Sequence, residues 1–139
     1  MTVAQHLLEI RTRGQGLHEV TREIAFWVAG QPVVRGLLTV FIRHTSASLV
    51  IHENAAPAAS RDLEAFMARI APEDPRLYEH DDEGPDDMPA HLRTALTHTS
   101  LSIPVAERRL LLGTWQGIYV FEHRRAPHRR ELVLHLAGE

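Results

Sequence analysis

The stretch from Gly36 to His44, GLLTVFIRH, alternates strictly: Leu38, Val40 and Ile42 oppose Thr39, Phe41 and Arg43. A period of two is the signature of a strand, and the Leu38–Val40–Ile42 face needs a second layer to cover it. After a polar break at Thr45-Ser46, residues Ala47 to Glu53 continue in strand style. Further strands are expected at Val3–Arg13, Leu101–Val105, Leu110–His123 and Leu132–Leu136. Three helical patterns interrupt them. Thr21–Ala29 has Thr21 as its expected N-cap and Gly30 as its stop. In Ala58–Ile70 the residues Leu63, Phe66, Met67 and Ile70 make one apolar face, and Pro72 ends the helix. A short third helix is expected from Asp87, with Asp87 as N-cap and Pro89 in the first turn. Strands dominate and the helices fall between them irregularly, which predicts an α+β class. A chain of 139 residues holds one core, so residues 1–139 are read as a single domain.

Composition removes several chemistries. There is no cysteine, so disulfides and thiolate metal sites are excluded. All 15 basic residues are arginine, which excludes a Schiff-base lysine and a P-loop lysine. A net charge of -3 does not suggest a nucleic-acid partner. No apolar run approaches the ~20 residues of a membrane span, and the N-terminus lacks a secretory pattern. A cytoplasmic location is therefore expected. Ten histidines, in contrast, lean toward acid–base or metal chemistry.

The segment Glu79–His91, EHDDEGPDDMPAH, sets six carboxylates between and around His80 and His91. Like charges this dense repel unless a cation or arginines offset them. A solvated loop is the plain reading of such a run. The flanking histidines and the helix that follows DDMP argue for a site. His44 falls on the core face by parity, beside the hydroxyls of Thr45, Ser46 and Ser48. In GTWQGIYVFEHR, Gln116, Ile118, Val120 and Glu122 share one face, and Trp115, Tyr119, Phe121 and His123 the other. Glu122 and His123 thus mark the exit of a strand. Arg124 is the best placed of the four arginines in HRRAPHRRE to hold an anion.

Four strings occur in order: HTSASL at His44, HEN at His52–Asn54, EGPDDMPAHLR at Glu83–Arg93 and LGTWQGIYVFEHR at Leu112–Arg124. Together they resemble the YjbQ family, whose members include secondary thiamine-phosphate synthases, over nearly the whole chain. The resemblance implies a large mixed or antiparallel sheet rolled like a sandwich, with flanking helices. It also implies a homotrimer and a polar cleft lined by these motifs. Two positions depart from the family pattern. HENAAP has His52 and Ala56 where N-E-N-x-D-P is usual, and His98 replaces a usual glycine.

Three functions compete on this reading. The first is a phosphate-handling enzyme: Asp86, Asp87 and Glu122 hold a hard cation, Arg124 binds phosphate, and a pyrimidine diphosphate loses pyrophosphate to a thiazole phosphate. The second is a hydrolase whose zinc, or a similar ion, is held by His44, His91 and His123, with His80 in reserve. The third is a non-catalytic trimeric module. The expected catalytic residues are His44, Asp87, His91, Glu122 and His123. Those expected to bind a small phosphorylated substrate are Thr45, Ser46, Asn54, Thr114, Gln116 and Arg124. Zinc, magnesium or manganese is the expected cofactor.

Overall fold

A computed structural model describes residues 1–139. Eight strands form two sheets, and every strand pairing is antiparallel. The strands are β1 (Thr2–Arg11), β2 (Gly16–Glu19), β3 (Gly36–Ile42), β4 (Ala47–Glu53), β5 (Ser100–Ala106), β6 (Arg109–Leu110), β7 (Gln116–Glu122) and β8 (Arg129–Gly138). The larger sheet runs β1-β8-β3-β5-β6 and the smaller β2-β7-β4. The helices are α1 (Thr21–Ala29), α2 (Pro57–Ile70) and α3 (Asp87–Leu96). The α+β expectation holds, and the sheet expected as mixed or antiparallel is present as two antiparallel sheets.

The two sheets face each other across the main core. Leu38, Val40 and Ile42 of β3 meet Leu49 of β4, Ile118 and Val120 of β7, and Leu132, Leu134 and Leu136 of β8, all within 2% of full burial. Each such side chain contributes about 1.5–3 kcal/mol relative to exposure. The outer face of β7 is buried as well. Tyr119 and Phe121 pack with Val50 and with Met67 of α2. This second cover explains why GTWQGIYVFEH lacks a polar face.

Several local expectations are corrected. Leu110–His123 is not one strand: Arg109–Leu110 pairs with β5 in the larger sheet, and Gln116–Glu122 lies in the smaller one. Between them Gly113 N–H donates to Gln116 Oε1 at 2.8 Å, so Thr114 and Trp115 lie in an exposed turn. Phe66 and Ile70 of α2 stay about half exposed, because only Leu63 and Met67 reach the sheet. Thr21 does not cap α1. Val20 holds that position, and the Thr21 hydroxyl donates to Glu19 and accepts from the amide of Ile118, tying α1 to β7. The N-cap of α3 is Asp86, not Asp87. GLHE, which has too few residues to display a period, forms the edge strand β2.

Candidate functional site

The acid run folds back on itself before α3. Gly84 takes φ +101, a conformation that other residues adopt only with strain, and Asp87 N–H donates to the Gly84 carbonyl. Asp86 and Asp87 are buried within this turn. Arg124, just beyond β7, clamps it. Its Nε donates to Asp86 Oδ2 at 3.0 Å, Nη1 to Asp87 Oδ1 at 2.9 Å and Nη2 to the Glu83 carbonyl at 2.9 Å. The Arg125 amide adds a bond to Asp86 at 2.9 Å. The acid loop and the EHR strand end are therefore one unit. Arg124, expected to hold phosphate, instead uses its fork on the protein's own carboxylates.

Asp87 turns its other oxygen to two histidines. Oδ2 lies 2.9 Å from His80 Nε2 and 3.0 Å from His91 Nε2. Burial raises the Asp87 carboxyl, but the hydrogen bond from His80 and the charges of His91 and Arg124 outweigh it and hold it below its ordinary range. His80 is pushed up by its bond to Asp87 and by neighbouring acids. With Glu83, these residues form a quartet whose donor atoms all lie within 4.8 Å of one another.

One contact fixes the chemistry of His91. Its Nδ1 lies 2.7 Å from the Thr45 carbonyl, which can only accept, so Nδ1 carries a hydrogen. Nε2 is then the ring atom that faces the carboxylate oxygen. At 3.0 Å from a carboxylate, that nitrogen needs a proton or a metal ion between them. A carbonyl that orients a ring by accepting from the far nitrogen is the usual support for a metal-binding histidine. Two ligands at about 2.1 Å from one tetrahedral ion lie about 3.4 Å apart, so these contacts would open by a few tenths of an ångström around zinc. Two imidazoles and carboxylate oxygens suit zinc or manganese better than magnesium.

His44 and His123, expected as metal ligands, lie outside this quartet. His44 Nε2 accepts from the Glu131 amide at 2.7 Å. The ring proton then sits on Nδ1, so the 3.3 Å approach of Arg130 Nη1 is a contact between donors and His44 has no lone pair to give. Burial and Arg130 push His44 below the usual histidine range. His123 is 1% exposed, with Nε2 2.9 Å from Ser48 Oγ, which in turn accepts from Thr97. Burial and Arg93 push it down to about 3, so it stays neutral.

Glu122, expected to be catalytic or to hold a hard cation, is committed elsewhere. It accepts from Thr12 at 2.7 Å and from Arg130 Nε at 2.8 Å, and Arg130 also reaches Ser46 Oγ at 3.0 Å. Burial raises its carboxyl, and the Arg130 bond more than offsets this. Asn54, Thr114 and Gln116 sit at the other end of β4 and β7. Gln116 opposes Glu53 there, while Glu122 opposes Ala47 at the near end. Six strand steps separate the ends by about 20 Å. Within one chain, the expected single cleft is thus divided.

An open groove of about 510 Å³ does pass His91, lined by His44, Thr45, Thr94 and Thr99. Glu83 is the one quartet member that sequence reasoning did not select. The spacing His80, Glu83, Asp87, His91, at intervals of three and four, was the available signal.

Fold and quartet define a two-sheet α+β protein with a histidine–carboxylate group where a helix begins. The family model described as UPF0047 protein YjbQ-like matches residues 6–139, and the chain belongs to this family. It is 53% identical to a UPF0047 protein of Synechocystis over 97% of this chain and 92% of that one. It is 43% identical to YjbQ of Escherichia coli O157:H7 over 97% and 98% of the two chains. A conserved hypothetical protein of Thermus thermophilus superposes with a TM-score of 0.85 at 30% identity, covering 95% of this chain and 99% of the other.

Proposed function

We propose that this protein is a metal-dependent enzyme acting on a small phosphorylated substrate, with His80, Asp87 and His91 as metal ligands and Glu83 beside them. The observation that carries the proposal is the His91 ring, whose Thr45 contact fixes Nδ1 as a donor and leaves Nε2 facing the Asp87 carboxylate. A divalent ion held there would neutralise phosphate charge or polarise a bound water. Asp86 and Arg124 position the ligands, and the groove past His91 receives the substrate.

The family resemblance points to condensation of a pyrimidine diphosphate with a thiazole phosphate, releasing pyrophosphate. A second reading, hydrolysis, is favoured by the ligand set, since two histidines and a carboxylate commonly leave zinc an open position for water. One assay separates them. Metal-stripped protein is reloaded with zinc, manganese or magnesium and given the pyrimidine diphosphate with or without thiazole phosphate. Thiamine phosphate formed only with metal supports the transferase. Metal-dependent phosphate or pyrophosphate release without the thiazole supports the hydrolase. No turnover by any loaded form sinks both.

We also propose self-association into a trimer. The outer face of the larger sheet carries exposed Val3, Leu7, Leu37 and Phe41. Cross-strand register aligns Leu7 and Phe41 on either side of Val133, and Val3 and Leu37 on either side of Ala137. Two apolar rows of this kind suit burial against another copy.

A further inference from the structure

Arg93 of α3 is 6% exposed and belongs to none of the protein's ion pairs. The one hydrogen bond of its guanidinium runs from Nη2 to the Ala71 carbonyl at 2.7 Å, and Nε is buried with no acceptor. A guanidinium does not give up its proton to escape burial, so the charge stays with no ion-pair partner in contact. Burial pulls its basicity down, and the charges of Tyr78 and Asp86 offset this only in part. The remedy available to such a group is an anion from outside.

Arg93 lines a cavity of about 370 Å³ between α2, β2 and the end of β7. Met67 and Phe121 give it an apolar wall, and Gln15 stands at its edge. Three carboxylates also border it. Glu122 is paired with Arg130 and Glu73 with Arg125, so both are already neutralised. Glu64 accepts only the Leu17 amide, at 3.0 Å. The cavity therefore contains one unpaired cation and one unpaired carboxylate.

We propose that this cavity is a binding site for the oxyanion of a small organic molecule, a phosphate or a carboxylate, held by the Arg93 fork. Glu64 sets the selectivity. It disfavours a second anionic group on the ligand and favours hydroxyl or amine donors there. The site shares no residue with the His80–Glu83–Asp87–His91 quartet, so it stands whether or not that group holds a metal.

The test uses arginine-labelled, metal-stripped full chain and follows the Arg93 Nε–H resonance by nuclear magnetic resonance. Loss of that signal in Arg93→Lys identifies it. Titration with inorganic phosphate or with acetate should shift it downfield and saturate, with half-effect at about 1 mM or below. A response to phosphate alone assigns a phosphoryl ligand, and a response to acetate alone a carboxylate. Binding should also raise the melting temperature of wild type. Because Arg93→Met removes an unpaired charge, it should melt no lower than wild type without ligand and show no anion-dependent rise. A His91→Ala chain should respond to the anions as wild type does. An unmoved resonance, or an equal shift with chloride, would overturn the proposal and leave a cavity that holds water.

Discussion

His91 Nε2 and Asp87 Oδ2 stand 3.0 Å apart while His91 Nδ1 is already committed to the Thr45 carbonyl. A proton or a metal ion must stand between them. On the metal-centre proposal, untagged protein should purify with, or take up, about one divalent ion per chain. Elemental analysis should find that content lost in His91→Ala and unchanged in His98→Ala, since His98 is exposed and outside the quartet. A wild-type chain that binds neither zinc nor manganese would refute the metal centre.

Asp87→Asn keeps the side-chain shape and removes the charge that both histidines and Arg124 address. Turnover in the assay above should fall by about 100-fold or more. Asp81, exposed and in the same acid run, serves as control, and Asp81→Asn should change the rate less than about twofold. Equal losses would mean that the loop's bulk charge sets the rate.

Acid sensitivity should trace partly to His123. Its folded value of about 3 lies below the ordinary 6.5, so the unfolded chain takes up a proton that the folded one refuses. The stability this confers is complete above about pH 6.5 and is lost as pH falls toward the folded value. Between pH 6.5 and about pH 4, wild type should lose about 3 kcal/mol more than His123→Gln in urea melts of metal-stripped protein. Parallel losses would show that His123 is protonated in the fold.

Light scattering at micromolar concentration should give a mass near three times 15.7 kDa. Phe41→Glu, on the exposed face of the larger sheet, should shift that mass toward the monomer without unfolding the chain. A wild-type monomer would remove the trimer and any site built between copies.

Much of the fold was legible because burial writes a period into the sequence. Leu38, Val40 and Ile42 are fully buried as their alternation required. Gln116–Glu122 was harder, since both its faces are covered and the usual polar side is missing. The break at Gly113–Trp115 depends on a hydrogen bond from Gly113 to the Gln116 side chain and on a change of sheet, neither of which has a period. In the site, the residue types of the acid run pointed to His80, Asp87 and His91. Which histidines converge was not legible, because His44 and His123 are withdrawn by partners distant in sequence: Glu131, Ser48 and Arg93. Arg124 misled for the same reason. Its chemistry suits a phosphate, and only the fold reveals that Asp86, Asp87 and the Glu83 carbonyl take its donors.

β7 has no side that faces water, and this makes it the chain's ruler. A single residue inserted or deleted between Gln116 and Glu122 would exchange the main core's Ile118 and Val120 with the α2 side's Tyr119 and Phe121. The same slip would carry Arg124 away from Asp86 and unlatch the acid loop. Length change in this segment is therefore closed to the protein as a route of variation. The turns at either end, Leu111–Trp115 and Arg125–His128, are where new lengths can be absorbed.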